Sequence, residues 1–107
     1  MASATGLEAI DLLRRAGCTT GPVIGEARVP GGRIAFLVPL GSGRYFRRSP
    51  HCVYRTSGTW LVLPPLSSGR AAALHWLVPL DCETDYANPV FLAHAIGTAA
   101  RTIAAGR

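Results

Sequence analysis

Three histidines and three cysteines have the widest chemical reach in this 107-residue chain, and their spacing limits what they can do. His51 and Cys52 are adjacent, which in an extended segment sends their side chains to opposite faces. An activated thiol needs its base within hydrogen-bond reach, and adjacency in sequence does not supply that. His75 and Cys82 are separated by Pro79, and Cys18 stands alone; no pair has the close spacing that structural zinc sites use. His75, beside Trp76, reads as a partly buried strand residue, and His94 as the polar side of a helix. Asp81, Glu83 and Asp85 alternate along a linker, like an ordinary solvated turn. There is no Gly-x-Ser-x-Gly elbow and no P-loop, and Gly41-Ser42-Gly43 is followed by no helix signal. The expectation is a non-enzymatic chain with no metal site and no cofactor. A small enzyme using His51, Cys52 or His75 is the least favoured alternative.

The positive signal is arginine. Arg44-Tyr45-Phe46-Arg47-Arg48 interleaves guanidinium groups with rings, and Arg55 and Arg70 fall on neighbouring turns. Such a loop can hold phosphates while a ring stacks on a base, so Arg44, Tyr45, Arg47, Arg48, Arg55 and Arg70 are the candidate nucleic-acid-binding residues. The competing reading is a solvated loop whose Tyr45 and Phe46 tuck into the core. All eleven basic residues are Arg, which a coding sequence rich in G and C explains as readily as a demand for planar forks. A net charge of +5 and a pI near 9.9 permit attraction to nucleic acid or to an acidic protein without choosing between them. A homodimer or other protein–protein module with no nucleic-acid role is therefore the alternative.

Composition sets the outer bounds. Apolar residues make up 49% and charged residues 16%, which suits a folded single domain spanning residues 1–107 rather than a disordered chain. The positive mean hydropathy of +0.25 leaves apolar surface for a partner to cover. An odd number of widely spaced cysteines is no disulfide framework, and a reducing cytoplasm is the expected setting. The first residues carry no signal-peptide pattern and no apolar run approaches a membrane span, so no membrane association is expected.

The elements that must position these residues follow in order. Thr5 and Glu8 have capping-box spacing, Leu7, Ile10 and Leu13 form an apolar stripe, and Gly17 follows Arg14 and Arg15 as a left-handed stop, predicting a first helix. Val23 to Val38 reads as a hairpin around Pro30-Gly31-Gly32, with Arg33 to Val38 a buried strand. Leu40 to Cys52 breaks all periodicity and reads as a long surface loop containing one helical turn. Val53 to Arg55 predicts a short strand, and Thr59 to Leu63, ended by Pro64-Pro65, an interior strand carrying Trp60. Ala73 to Val78 is the last strand, and its run Leu74-His75-Trp76-Leu77-Val78-Pro79-Leu80 echoes Ile34-Ala35-Phe36-Leu37-Val38-Pro39-Leu40, as two central strands would. Asn88-Pro89 opens a second helix with Leu92, Ile96, Ala99 and Ile103 on one face. The fold class is α+β: an antiparallel or mixed sheet of about five strands, with an N-terminal and a C-terminal helix packed on one face.

The run Gly21-Pro22-Val23, Ile34 to Val38, Arg55 to Pro65, Gly69 and Leu74-His75-Trp76 resembles the C-terminal half of actinobacterial bifunctional DNA primase–polymerase domains, relatives of archaeo-eukaryotic primases. That family has a helix, a Gly-Pro-Val strand entry, an apolar strand, and an Arg-x-x-Gly-Gly-Tyr-x-x-x-Pro-Pro-Ser segment. Its polymerase activity needs acidic metal ligands from an N-terminal half that has no counterpart here. A histidine expected within Arg33 to Phe36 is missing, and Val53 and Tyr54 stand where an acid would precede Arg55. Without carboxylates there is no two-metal site for nucleotidyl transfer. The resemblance thus implies a catalytically inactive regulatory half-domain, with Arg55 the residue expected to keep a nucleotide or phosphate contact.

Overall fold

The computed structural model describes residues 1–27, 30–39, 41–55, 74–78 and 86–106. Helix α1 (Ser3–Arg15) begins two residues before the expected capping box, and its N-cap, Ala2, makes no side-chain capping bond. Thr5 lies inside the helix. The reason is tertiary: Met1 and Ala2 pair with a strand, with Ile34 N donating to Met1 O at 2.9 Å and Ser3 N to Gly32 O at 3.2 Å. A helix N–H that finds a backbone carbonyl needs no side-chain cap.

The other end of α1 follows the sequence. Gly17 is left-handed, with φ +76°. Cys18 N donates to Leu13 O at 2.8 Å and Gly17 N to Arg14 O at 3.1 Å, the paired bonds of a Schellman stop. Gly6, Ala9, Ile10 and Leu13 face inward, whereas Leu7, expected on that stripe, is 52% exposed. Gly6 makes the closest approach to the sheet, where a methyl group would lie 2.8 Å from Ile34 Cβ.

Strand β1 (Val23–Glu26) pairs antiparallel with β2 (Arg33–Phe36), matching Val23 to Phe36 and Glu26 to Arg33. Gly31 and Gly32, both at positive φ, turn the chain between them as Pro30-Gly31-Gly32 predicts. On its other side β1 pairs antiparallel with β3 (Leu74–Val78), matching Gly25 to His75 and Ile24 to Trp76, with an irregularity between Val23 and Ile24. The order is β2-β1-β3. Among the described residues, the two echoing apolar runs thus lie on either side of β1. β1 takes the middle because its Val23, Ile24 and Gly25 are all buried.

β2 is shorter than Arg33 to Val38 and is not uniformly buried: Arg33 is exposed, Ile34 buried, Ala35 and Phe36 half-buried. The expected strand at Val53 to Arg55 is absent; those residues have no regular structure. The Thr59 to Leu63 strand, Trp60, the Pro64-Pro65 stop, Arg70 and the acids at 81, 83 and 85 lie outside the described residues.

Helix α2 (Pro89–Ala105) starts as predicted. Asn88 Oδ1 accepts from Val90 N at 2.9 Å and Phe91 N at 3.3 Å, with Pro89 in the first turn. Leu92, Ala95, Ile96 and Ala99 are its buried face, packed with Ala9 and Leu13 of α1, Ala87 and Phe46. The small residues Ala9, Ala95 and Ala99 let the two helices approach closely, so the N- and C-terminal helices pack on each other. A second cluster, Ile10, Val23 and Ile34, joins α1 to the sheet. Among the described residues no helix is long and apolar enough to cross a membrane.

Candidate nucleic-acid interface

The arginine-rich segment is a succession of tight turns pinned at two places. Gly41, at φ +87°, leads into a 3₁₀ turn over Ser42–Tyr45, the helical turn expected within the loop. Ser42 is buried, and its hydroxyl donates to Pro39 O at 2.6 Å. Further bonds run from Phe46 N to Gly43 O at 3.0 Å, from Ser49 N to Phe46 O at 3.1 Å, and from His51 N to Ser49 Oγ at 3.3 Å. Phe46 enters the core formed by α1 and α2. Tyr54 returns over the same turn and stacks on Phe46, and its ring lies where a methyl at Gly43 would meet Cδ1 at 2.8 Å.

The two rings of the loop thus separate. Phe46 is core, as the competing reading expected, but Tyr45 stays 37% exposed. Arg44 lies over the Tyr45 ring, with its guanidinium carbon 4.8 Å from the centroid, and donates to the Tyr45 hydroxyl at 2.7 Å. One face of that ring is therefore occupied by the chain's own cation. Arg47 and Arg48 follow Phe46 on the turn and are exposed; Arg55 is exposed at the end of the segment. Residues 41–55 hold four arginines and no acid. Among the described residues the ion pairs are those of Arg15 with Asp11, at 2.8 Å, and with Glu8, at 3.6 Å, so Arg44, Arg47, Arg48 and Arg55 have no carboxylate partner there.

Among the described residues histidine and cysteine are dispersed. His51 is exposed and Cys52 half-buried; both border a cleft beside β2. His75 is half-buried on β3, as expected, and packs over Gly25, where a methyl would meet its Nε2 at 2.9 Å. His94 is exposed on α2, and Cys18 is half-buried beyond α1. Among the described residues no three His, Cys, Asp or Glu side chains gather as a metal site would require.

One participant was not visible in the sequence. The Met1 ammonium is half-buried and donates to Ile34 O at 3.0 Å. Loss of water lowers its pKa below the ordinary value; Cys52 opposes the shift and Arg33 adds to it. No sequence pattern signals this, because it arises from strand pairing between the first residues and β2.

No protein-family model, no curated protein and no solved structure matches the chain.

Proposed function

We propose that the chain is a non-enzymatic binding module that grips nucleic acid through the turn at residues 44–48 together with Arg55. The observation that supports this is a surface segment with four arginines, no acid, and a backbone held by Phe46 and Tyr54. Guanidinium groups on a fixed frame lose less freedom on meeting a phosphate than the same groups on a loose tail. With Arg44 committed to Tyr45, the phosphate contacts fall to Arg47, Arg48 and Arg55, and Arg70 extends the set in the reading from sequence. A regulatory, catalytically inactive relative of primase–polymerase half-domains, working in the cytoplasm, fits this arrangement. Fluorescence anisotropy with a labelled generic DNA duplex at low salt tests it. Binding is expected for the native chain and a loss of about tenfold or more for the Arg47→Ala/Arg48→Ala variant; no binding at low salt removes the reading.

A second reading has its own observation. Tyr86, Val90 and Phe91, at the start of α2, are each at least half exposed, an apolar patch that a second copy of the chain would cover. Sedimentation velocity decides it: a dimer that Phe91→Glu converts to monomer supports the homodimer, and a native monomer at high concentration excludes it.

A further inference from the structure

Two clefts meet beside β2. The narrower, of about 340 Å³, is walled by Ile34, Phe36, Val38, Phe46, Leu92 and Ile96. The wider, of about 530 Å³, is bordered by Glu26, Arg33, His51 and Leu74. Met1, Ile34, Ala35, Cys52, Val53 and Arg55 line both, so the two spaces adjoin across these residues.

Their chemistry is divided. The narrower wall is mostly aliphatic and aromatic, drawn from β2 and the residues after it, Phe46 and α2, with Arg55 at its shared border. Arg33, Arg55 and Met1 all border the wider cleft, where the Met1 ammonium feels the charge of Arg33, and Glu26 is the one carboxylate among the described residues on either wall. Both volumes fall in the range of about 300–1,000 Å³ that small-molecule sites occupy. A guanidinium fork matches a carboxylate in plane and in charge, and an apolar wall beside it matches a hydrocarbon.

We propose that these adjoining clefts bind a small amphipathic carboxylate, its hydrocarbon part among Ile34, Phe36, Val38, Phe46, Leu92 and Ile96 and its head group at Arg33 and Arg55. The site is separate from the grip of Arg47 and Arg48 on nucleic acid and shares only Arg55 with it. Its test contains no nucleic acid, so the two can fail independently.

Cys52 lines both clefts and serves as the reporter. The probe is decanoate, with decanol as its uncharged counterpart. Iodoacetamide alkylation is followed by peptide mass mapping, with Cys18, which lines neither cleft, as the reference within the molecule. Decanoate is expected to slow alkylation of Cys52 in proportion to occupancy, about tenfold when its free concentration is near ten times Kd, while Cys18 is unaffected. Decanol should protect far less at equal concentration. The exposed-residue variant Arg33→Gln/Arg55→Gln should need about tenfold more decanoate for equal protection, about 1.4 kcal/mol of head-group binding. Four outcomes overturn the site: no protection of Cys52, equal protection by decanol, unchanged protection in the double variant, or faster alkylation of both thiols on adding decanoate.

Discussion

The rings of Phe46 and Tyr54 lie 12° from parallel with their centroids 6.4 Å apart. This offset stack closes the segment between them, since Phe46 is fixed in the helix core and Tyr54 lies over Gly43 of the same turn. Arg47 and Arg48 lie between the two rings in sequence, and Arg44 and Arg55 flank them, so that closure gives the arginines a fixed frame. Replacing Phe46 with Ala removes a buried ring and should cost about 3–5 kcal/mol of unfolding free energy. Tyr54→Ala, from a half-buried site, should cost less than Phe46→Ala and still weaken DNA binding. Urea denaturation together with anisotropy checks both, and a Phe46→Ala chain of native stability would contradict the packing.

Glycine gives a paired test of the helix placement. A methyl at Gly6 would meet Ile34 Cβ at 2.8 Å, whereas among the described residues one at Gly97 would meet only the end of the Arg101 side chain at 3.7 Å. Gly6→Ala is expected to destabilise by about 1–3 kcal/mol, because α1 must move off β2. Gly97→Ala, in the interior of α2, is expected to stabilise by about 0.4–1 kcal/mol by raising helix propensity. Equal effects of one sign, measured by thermal melts, would mean that α1 does not approach β2 at Gly6.

The start of α2 hangs on one side chain. Asn88→Ala leaves the amides of Val90 and Phe91 without their acceptor and should cost about 1 kcal/mol, while Asn88→Asp should retain most of it. Urea midpoints of the three chains are the measurement.

How much of this was readable beforehand depended on whether local or distant contacts decide a position. The Gly17 stop, the Pro30-Gly31-Gly32 turn and the Asn88-Pro89 start are local chemistry, and the structure keeps all three. Thr5 has the spacing of a cap, but the bonding of Met1 to Ile34, 33 residues away in sequence, and the Ala2–Arg33 bridge start the helix earlier. Val53 to Arg55 has strand-forming residues, yet Tyr54 is used as a side-chain clamp. The echoing apolar runs signalled two strands, and the structure has both; that each pairs with Val23–Glu26 is a long-range choice that no local pattern carries. In the candidate site, the arginines and the core role of Phe46 were legible. The commitment of Arg44 to Tyr45 and the part played by Met1 were not, as both depend on how the turn and the first residues fold back.

The Met1 ammonium gives the stability a pH dependence of fixed sign. Its folded pKa is lowered, mainly by desolvation, so the unfolded chain takes up this proton first as pH falls. The contribution is complete above the ordinary value of 8.0 and is lost as pH drops through the lower folded value. In a chain beginning at Met1, urea midpoints should therefore rise with pH across that window. Acetylating the Met1 nitrogen should remove this rise, and an identical pH profile in the acetylated chain would show that the amine is not buried against Ile34.

The salt dependence of DNA binding tests the central claim most directly. The logarithm of the association constant for a generic duplex, plotted against the logarithm of salt concentration, should fall with a slope of about −0.9 per phosphate neutralised, near −2.7 if Arg47, Arg48 and Arg55 each hold one. The Arg47→Ala/Arg48→Ala chain should flatten that slope by about 1.8. A native chain with no measurable affinity at low salt, or a double variant with an unchanged slope, would contradict the account.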